Sequence, residues 1–137
     1  MKRHFIVLIA CGLLSTIACK KSNSTPPPLT KENVAGAYKF TAEVTTATDN
    51  TSTDVYSQYQ PCVKDDIWTF NTDNSFVVTD AGVVCDPSDG WTGSWSLDGE
   101  NITLAGMNGT VTKWDGSTFE VTLVWDDGTK DKMTFKK

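Results

Sequence analysis

The sequence has 137 residues and is acidic, with 12 basic and 17 acidic side chains and a formal net charge of −5, which leaves room for one domain. Its only arginine, Arg3, and its only histidine, His4, lie within residues 1–18, a segment that we predict below to be removed from the mature protein. We therefore expect no nucleic-acid partner, since binding phosphate needs clustered Lys and Arg, and no enzymatic activity, metal or cofactor, since Ser-His-Asp, Cys-His and Cys/His zinc centres need histidine.

Residues 1–18 have the layout of a bacterial lipoprotein signal peptide. A short basic start precedes a largely apolar run of 13 residues from Phe5 to Ile17, fewer than the ~20 that a membrane-spanning helix needs. An uncleaved anchor helix is the alternative. Cleavage before Cys11 would leave an apolar core of only six residues, so we predict cleavage before Cys19. Acyl chains on Cys19 would then anchor the protein in a Gram-negative envelope, by expectation in the outer membrane and facing either the periplasm or the surface.

Cleavage before Cys19 would leave a mature chain with ten lysines and 17 acidic residues, a formal charge of −7. The first segment of that chain is predicted to be a tether. Residues 19–29 carry the run Pro26–Pro28 and few apolar side chains, which is typical of an extended linker. The folded domain is predicted to span residues 30–137, beginning with a helical turn that Thr30 caps.

Gly36–Val44 has the alternation of a half-buried strand. The pattern predicts that one set of side chains faces the core and the other faces solvent: Tyr38, Phe40, Ala42 and Val44 inward, Lys39, Thr41 and Glu43 outward. Thr45–Gln60 follows as a long polar connection, and loops longer than about 12–15 residues are uncommon and often functional. We predict that this loop covers an entrance to the domain, with Tyr56 and Tyr59 at its mouth.

Cys62 and Cys85 flank a predicted β-hairpin. Its two strands place four apolar side chains on one face: Trp68, Phe70, Phe76 and Val78. Disulfides persist in exported chains, and we predict one between these two cysteines. Two buried free thiols or a metal-binding pair are the alternatives.

Asx-Gly pairs then recur at nearly even spacing, and such pairs supply the positive φ angles of tight hairpins. They predict four turns: Asp98-Gly99, Asn108-Gly109, Asp115-Gly116 and Asp127-Gly128. The segments between them bring the predicted total to eight strands. Eight antiparallel strands joined by short turns close most naturally into a barrel, because closure removes exposed edges. The predicted fold is therefore all-β, an eight-stranded antiparallel up-and-down β-barrel.

The apolar faces also predict how neighbouring strands pair. A shift of one residue would turn every side chain to the opposite face, so the inward residues should lie opposite each other. We predict the following pairs: Leu97 with Ile102, Trp95 with Leu104, Val121 with Met133, and Phe119 with Phe135. The last two require a three-residue loop ending at a left-handed Gly128, and the turn from Trp114 to Ser117 requires a bulge or a longer loop.

Several of these motifs occur in the same order in the lipocalin-like domain family of small secreted bacterial lipoproteins. They are Gly36-Ala37-Tyr38, Cys62 followed by Lys64-Asp65-Asp66 and Phe70, then Phe76, Cys85, and Gly93-Ser94-Trp95-Ser96-Leu97. The chain resembles this family over roughly residues 34–136. The resemblance implies a calycin-type barrel of eight strands, and it implies no particular ligand.

The inside of such a barrel is just wide enough either to be filled by side chains or to hold one small ligand, and the sequence leaves both alternatives open. Ten aromatic residues are candidates for lining a binding site: Tyr38, Phe40, Tyr56, Tyr59, Trp68, Phe70, Phe76, Trp95, Phe119 and Phe135. Three acidic groups are predicted to serve turns, where Asp is favoured: Asp65-Asp66, Asp86 with Asp89, and Asp126-Asp127 with Asp131.

The leading hypothesis is a monomeric, non-enzymatic, lipid-anchored envelope protein that binds a small hydrophobic or amphipathic ligand in a lipocalin-like barrel. The alternative is a protein-interaction module, such as an envelope-complex accessory or an inhibitor, with a fully packed barrel.

Overall fold

The computed structural model of the protein describes residues 25–137. The predicted signal peptide, the lipidation site at Cys19 and the start of the tether lie outside the described residues. No helix within residues 25–137 has the length and apolar character needed to cross a membrane. This part of the chain forms two single-turn helices, a turn of 3-10 helix at Tyr56–Gln58 and nine strands. The helices are α1 (Lys31–Val34) and α2 (Pro61–Lys64), and the strands are β1 (Gly36–Thr46), β2 (Ser52–Asp54), β3 (Ile67–Phe70), β4 (Ser75–Thr79), β5 (Trp91–Asp98), β6 (Asn101–Leu104), β7 (Met107–Trp114), β8 (Thr118–Val124) and β9 (Lys130–Lys136).

Eight of these strands form a closed barrel. From β3 to β9 each strand pairs antiparallel with the next along the chain, β3 pairs with the first half of β1, and β9 closes the ring by pairing with β1. The short β2 lies beside Val44–Thr46 at the end of β1, beyond the reach of β3. The predicted fold, an eight-stranded antiparallel up-and-down β-barrel, is confirmed.

The predicted strand pairs are also confirmed. Four inward pairs are observed as expected: Trp95 with Leu104, Leu97 with Ile102, Phe119 with Phe135, and Val121 with Met133. Gly128 has a φ of 86° at the end of the loop between β8 and β9. The register of β7 shifts between Val111 and Lys113, which brings Trp114 opposite Phe119, so the bulge expected near this turn is present.

The helix α1 closes one end of the barrel, which we call the base. Thr30 caps it as predicted, with its hydroxyl oxygen accepting from the backbone N–H of Asn33 at 3.3 Å. Val34 is fully buried beneath the barrel, and its carbonyl oxygen accepts a hydrogen bond of 2.5 Å from the Tyr38 hydroxyl. The segment assigned to the tether contacts this end too, because Trp114 Nε1 donates to the carbonyl oxygen of Pro27 at 2.9 Å.

The prediction of a turn at Asn108-Gly109 is wrong. The chain turns earlier, at Ala105-Gly106, where φ is 52° and 84°, and Asn108 and Gly109 lie inside β7. A Cβ on Gly109 would lie 2.3 Å from the backbone oxygen of Thr122 on the neighbouring strand. Glycine is needed at this position for the close approach of two strands, and the same residue pair imitates a turn signal in the sequence.

The predicted orientation of the second half of β1 is also wrong. A β-bulge between Phe40 and Ala42 places Thr41 as an extra residue opposite β9. The alternation therefore shifts by one residue, so Glu43 is inside the barrel and only 9% exposed, while Ala42 and Val44 lie on the opposite face. The bulge thus carries a carboxylate into the interior.

The segment predicted as the long loop Thr45–Gln60 is in part regular structure. It contains the end of β1, the strand β2 and the 3-10 turn. Tyr56 and Tyr59 fold back onto Phe40, with ring centroids 5.3 Å and 6.1 Å from its own. Both tyrosines therefore lie at the end of the barrel opposite the base, which we call the mouth.

Candidate functional site

Aromatic side chains fill the half of the barrel next to the base. Phe70 lies at their centre, with the ring centroids of Trp95, Phe135, Phe119 and Tyr38 between 5.3 Å and 5.8 Å from its own. Each of these five side chains is at most 1% exposed. Six of the ten residues proposed from the sequence belong to this packed layer: Tyr38, Phe70, Phe76, Trp95, Phe119 and Phe135.

The half of the barrel next to the mouth contains a cavity of about 290 Å³ that is open to solvent on one side. Three of the ten proposed residues line it, namely Phe40, Tyr59 and Trp68, while Tyr56 packs behind Phe40 and Tyr59. Trp91 and Trp125 also line the cavity and are 43% and 46% exposed, so it reaches the surface where they lie. Aliphatic and thioether side chains complete the apolar wall: Val63, Val78, Leu104, Met107, Leu123 and Met133.

Glu43 brings a buried carboxylate to the cavity wall. Its Oε2 accepts a hydrogen bond of 2.6 Å from the Tyr59 hydroxyl, and this is the one hydrogen bond to its carboxylate found within residues 25–137. Burial raises the pKa of Glu43 above its ordinary value, and the negative charge of Asp131 raises it further. Burial and the neighbouring Glu43 also raise the pKa of the Tyr59 hydroxyl, which therefore stays protonated and acts as the donor.

Asp131 is the second buried carboxylate of the cavity and is 7% exposed. Each of its oxygens accepts one hydrogen bond of 2.5 Å, Oδ1 from the Thr45 hydroxyl and Oδ2 from Trp125 Nε1. Both donors are neutral, so they orient the carboxylate without neutralising it. The prediction that Asp131 serves a turn is wrong, because it lies within β9 and points inward like Met133 and Phe135.

A disulfide lies beside a second group of acidic residues in the cavity wall, which we call the acidic rim. The predicted bridge between Cys62 and Cys85 is present and ties α2 to the loop between β4 and β5. Asp66 and Asp89 line the cavity at this rim, and Asp66 is 2% exposed. Burial raises the pKa of Asp66, and the charge of Asp89 contributes to the same direction.

The acidic residues around this bridge do not provide enough ligands for a metal ion. Asp80, Cys85 and Asp89 bring ligand-type atoms within 4.8 Å of one another. The sulfur of Cys85 is bonded to Cys62 and has no thiolate to offer, which leaves two carboxylates. Calcium needs six to eight oxygen ligands, so we assign these acids to the loop between β4 and β5, where Asp80 Oδ1 accepts from the backbone N–H of Cys85 at 3.2 Å.

Four carboxylates in the cavity wall were missed by sequence reasoning. Asp131 carried a usable signal, since it is in phase with Met133 and Phe135 along β9. Glu43 carried none, because its orientation depends on the bulge at Thr41. Asp66 carried the same kind of signal as Asp131, since it directly precedes β3 in phase with Trp68 and Phe70, whereas Asp89 reaches the cavity through the loop between β4 and β5.

Fold and site together define an eight-stranded antiparallel β-barrel that is packed at its base and has an apolar, acid-lined cavity at its mouth. The chain belongs to the family described as a domain of unknown function, DUF5004, which it matches over residues 15–133. No curated protein and no solved structure matches the chain.

Proposed function

We propose that this protein is a lipocalin-like binding protein that holds one small apolar or amphipathic molecule in its barrel. The cavity of about 290 Å³ is the observation that carries the proposal. It is close to the lower end of the range of small-molecule sites, about 300–1,000 Å³, and it has their usual character of apolar walls with a few polar groups. The packed base leaves the mouth as the way in, an arrangement that suits one ligand entering an eight-stranded barrel.

The proposal includes the cellular setting expected from the sequence. Cys19, lipidated after removal of residues 1–18, would anchor the barrel in the outer membrane of a Gram-negative envelope. The protein would act there as a monomer and without catalysis. The contacts of Pro27 and Leu29 with the base support an attachment at that end, which would leave the mouth free for ligand.

Binding of simple amphiphiles to residues 20–137 tests the proposal. These residues contain the whole closed barrel, and a cooperative melting transition checks that they fold. We expect saturable binding of at least one member of a panel that shares an octyl chain: octylamine, octanol and nonanoate. Isothermal titration calorimetry measures it, and the intrinsic fluorescence, to which Trp68, Trp91 and Trp125 of the cavity wall contribute, gives a second signal.

Two neighbouring substitutions locate the bound molecule. Met107 lines the cavity, and Asn108, the next residue in β7, is exposed on the outside of the barrel. Met107→Trp should fill the entrance and lower the affinity at least about tenfold, whereas Asn108→Trp should leave it unchanged. Absence of saturable binding by every member of the panel, or equal binding by both variants, contradicts the proposal.

A further inference from the structure

We propose that the cavity selects a cation, namely a protonated or quaternary amine on a small apolar body. The inference rests on the proposed ligand-binding function and specifies the chemical class of the ligand. It follows from the charge, the hydrogen bonding and the aromatic faces of the residues that line the cavity.

The ionisable groups of the cavity wall, apart from the Tyr59 hydroxyl, all carry the same sign. They are the carboxylates of Glu43, Asp66, Asp89 and Asp131, and no lysine lines the cavity. Within residues 25–137 the ion pairs are Lys113 with Asp115 and Lys132 with Glu120, and none involves a cavity carboxylate. The cavity therefore has no positive charge of its own, and an anionic ligand would meet like charges.

Burying a carboxylate without a counter-charge is energetically unfavourable, and a cationic ligand would provide the missing positive charge. Glu43 is 9% exposed, and within residues 25–137 its Oε1 accepts no hydrogen bond while Oε2 accepts one from a neutral hydroxyl. Burial of an unpaired charge is unfavourable, and an ammonium group that donates to Oε1 offsets the cost by a charge-assisted hydrogen bond. Glu43 and Asp131, which both line the cavity, thus mark where the head of the ligand binds.

The aromatic walls match the same ligand class. Trp68, Trp91, Trp125 and Tyr59 line the cavity, and the face of an indole ring attracts cations. Lysines of residues 25–137 lie over the rings of Tyr38, Tyr56 and Trp114, none of which lines the cavity. No lysine of the described residues therefore competes with a ligand for the cavity tryptophans, although one face of Trp68 stacks on Phe76. A bare metal ion fits less well, because it prefers a shell of oxygens to indole rings.

The octyl panel tests the inference on the unaltered protein, because its members differ in the charge of the head group. Octylamine is a cation at neutral pH, octanol is neutral and nonanoate is an anion. We expect octylamine to bind at least about tenfold more tightly than octanol, the ratio that one charge-assisted hydrogen bond contributes, and nonanoate to bind most weakly.

Two isosteric substitutions then connect the preference to the cavity. Glu43→Gln keeps the side-chain shape and an acceptor for Tyr59, and it should lower the affinity for octylamine about tenfold while changing that for octanol less than about twofold. Glu120→Gln removes a carboxylate from the outside of the barrel, where Glu120 lies 3.3 Å from the ammonium of Lys132, and it should leave both affinities unchanged.

The outcomes separate the two proposals. Equal affinities for octylamine and octanol overturn the preference for cations and leave the ligand-binding function standing. An equal loss of octylamine affinity in both glutamine variants overturns the assignment to Glu43, because it reports net charge alone. Failure of the whole panel to bind overturns the proposed function itself.

Discussion

Reduction of the Cys62–Cys85 bridge should destabilise the barrel by a predictable amount. The bridge spans a sequence separation of 23 residues, which includes the hairpin of β3 and β4. Closing a loop of this length in the unfolded chain contributes about 3 kcal/mol by the loop-entropy relation. Unfolding entropy is about 2.1 cal/mol/K per residue, so over the 113 residues from 25 to 137 the loss corresponds to a fall in melting temperature of about 12 °C.

Thermal unfolding of residues 20–137 with and without a reducing agent measures this loss. These residues contain only two cysteines, so the reductant acts on one bond. The double variant Cys62→Ser/Cys85→Ser should melt at the temperature of the reduced protein and should not respond to reductant. A shift of less than about 3 °C in the reduced protein, or a response of the double variant, would refute the reasoning.

Three further predictions concern the cavity, the strand packing and the anchor. Because the pKa of Glu43 is raised in the folded state, the native protein holds this proton more tightly than the unfolded chain does, and the free energy of unfolding should fall as the pH rises above about 4.5. In Glu43→Gln the free energy of unfolding, measured by urea unfolding at several pH values, should fall less as the pH rises. Identical pH profiles of the variant and the unaltered protein would contradict this prediction. Gly93→Ala should cost about 1–3 kcal/mol, since its Cβ would lie 2.5 Å from the ring of Phe76, and an unchanged urea midpoint would show that the ring moves aside without cost. Cys19→Ala should abolish partitioning into membranes and Cys11→Ala should preserve it; the reverse result would move the lipidation site.

The architecture of the barrel could be predicted because most of its strands show an alternation of apolar and polar residues in their own sequence. Alternation in β8 and β9 places Phe119, Val121, Met133 and Phe135 on one face, and the register follows once Gly128 is taken as left-handed. Such signals involve residues that are close in sequence. They were therefore sufficient for the fold, while the disulfide prediction came from the two cysteines that flank the hairpin and the expected export of the chain.

The cavity could not be predicted in the same way because it depends on irregularities. The bulge at Thr41 turns Glu43 inward, and no residue in the sequence marks that bulge. Gly109 looks like a turn residue, although its missing side chain serves the contact with β8. Whether inward aromatic side chains fill a barrel or surround a space depends on how far each reaches across it. Phe70 and Trp68 illustrate the point, since they lie two residues apart on one strand, one in the packed layer and the other at the cavity.

Native mass spectrometry tests the central claim, that the cavity holds a small molecule, most directly. Residues 20–137 would be secreted to the periplasm of an expressing bacterium and weighed intact under native and denaturing conditions, beside Met107→Trp. We predict an additional mass on the native protein that is lost on denaturation and is absent from the variant. A native protein that shows only its polypeptide mass, or an additional mass that Met107→Trp retains, would contradict the account.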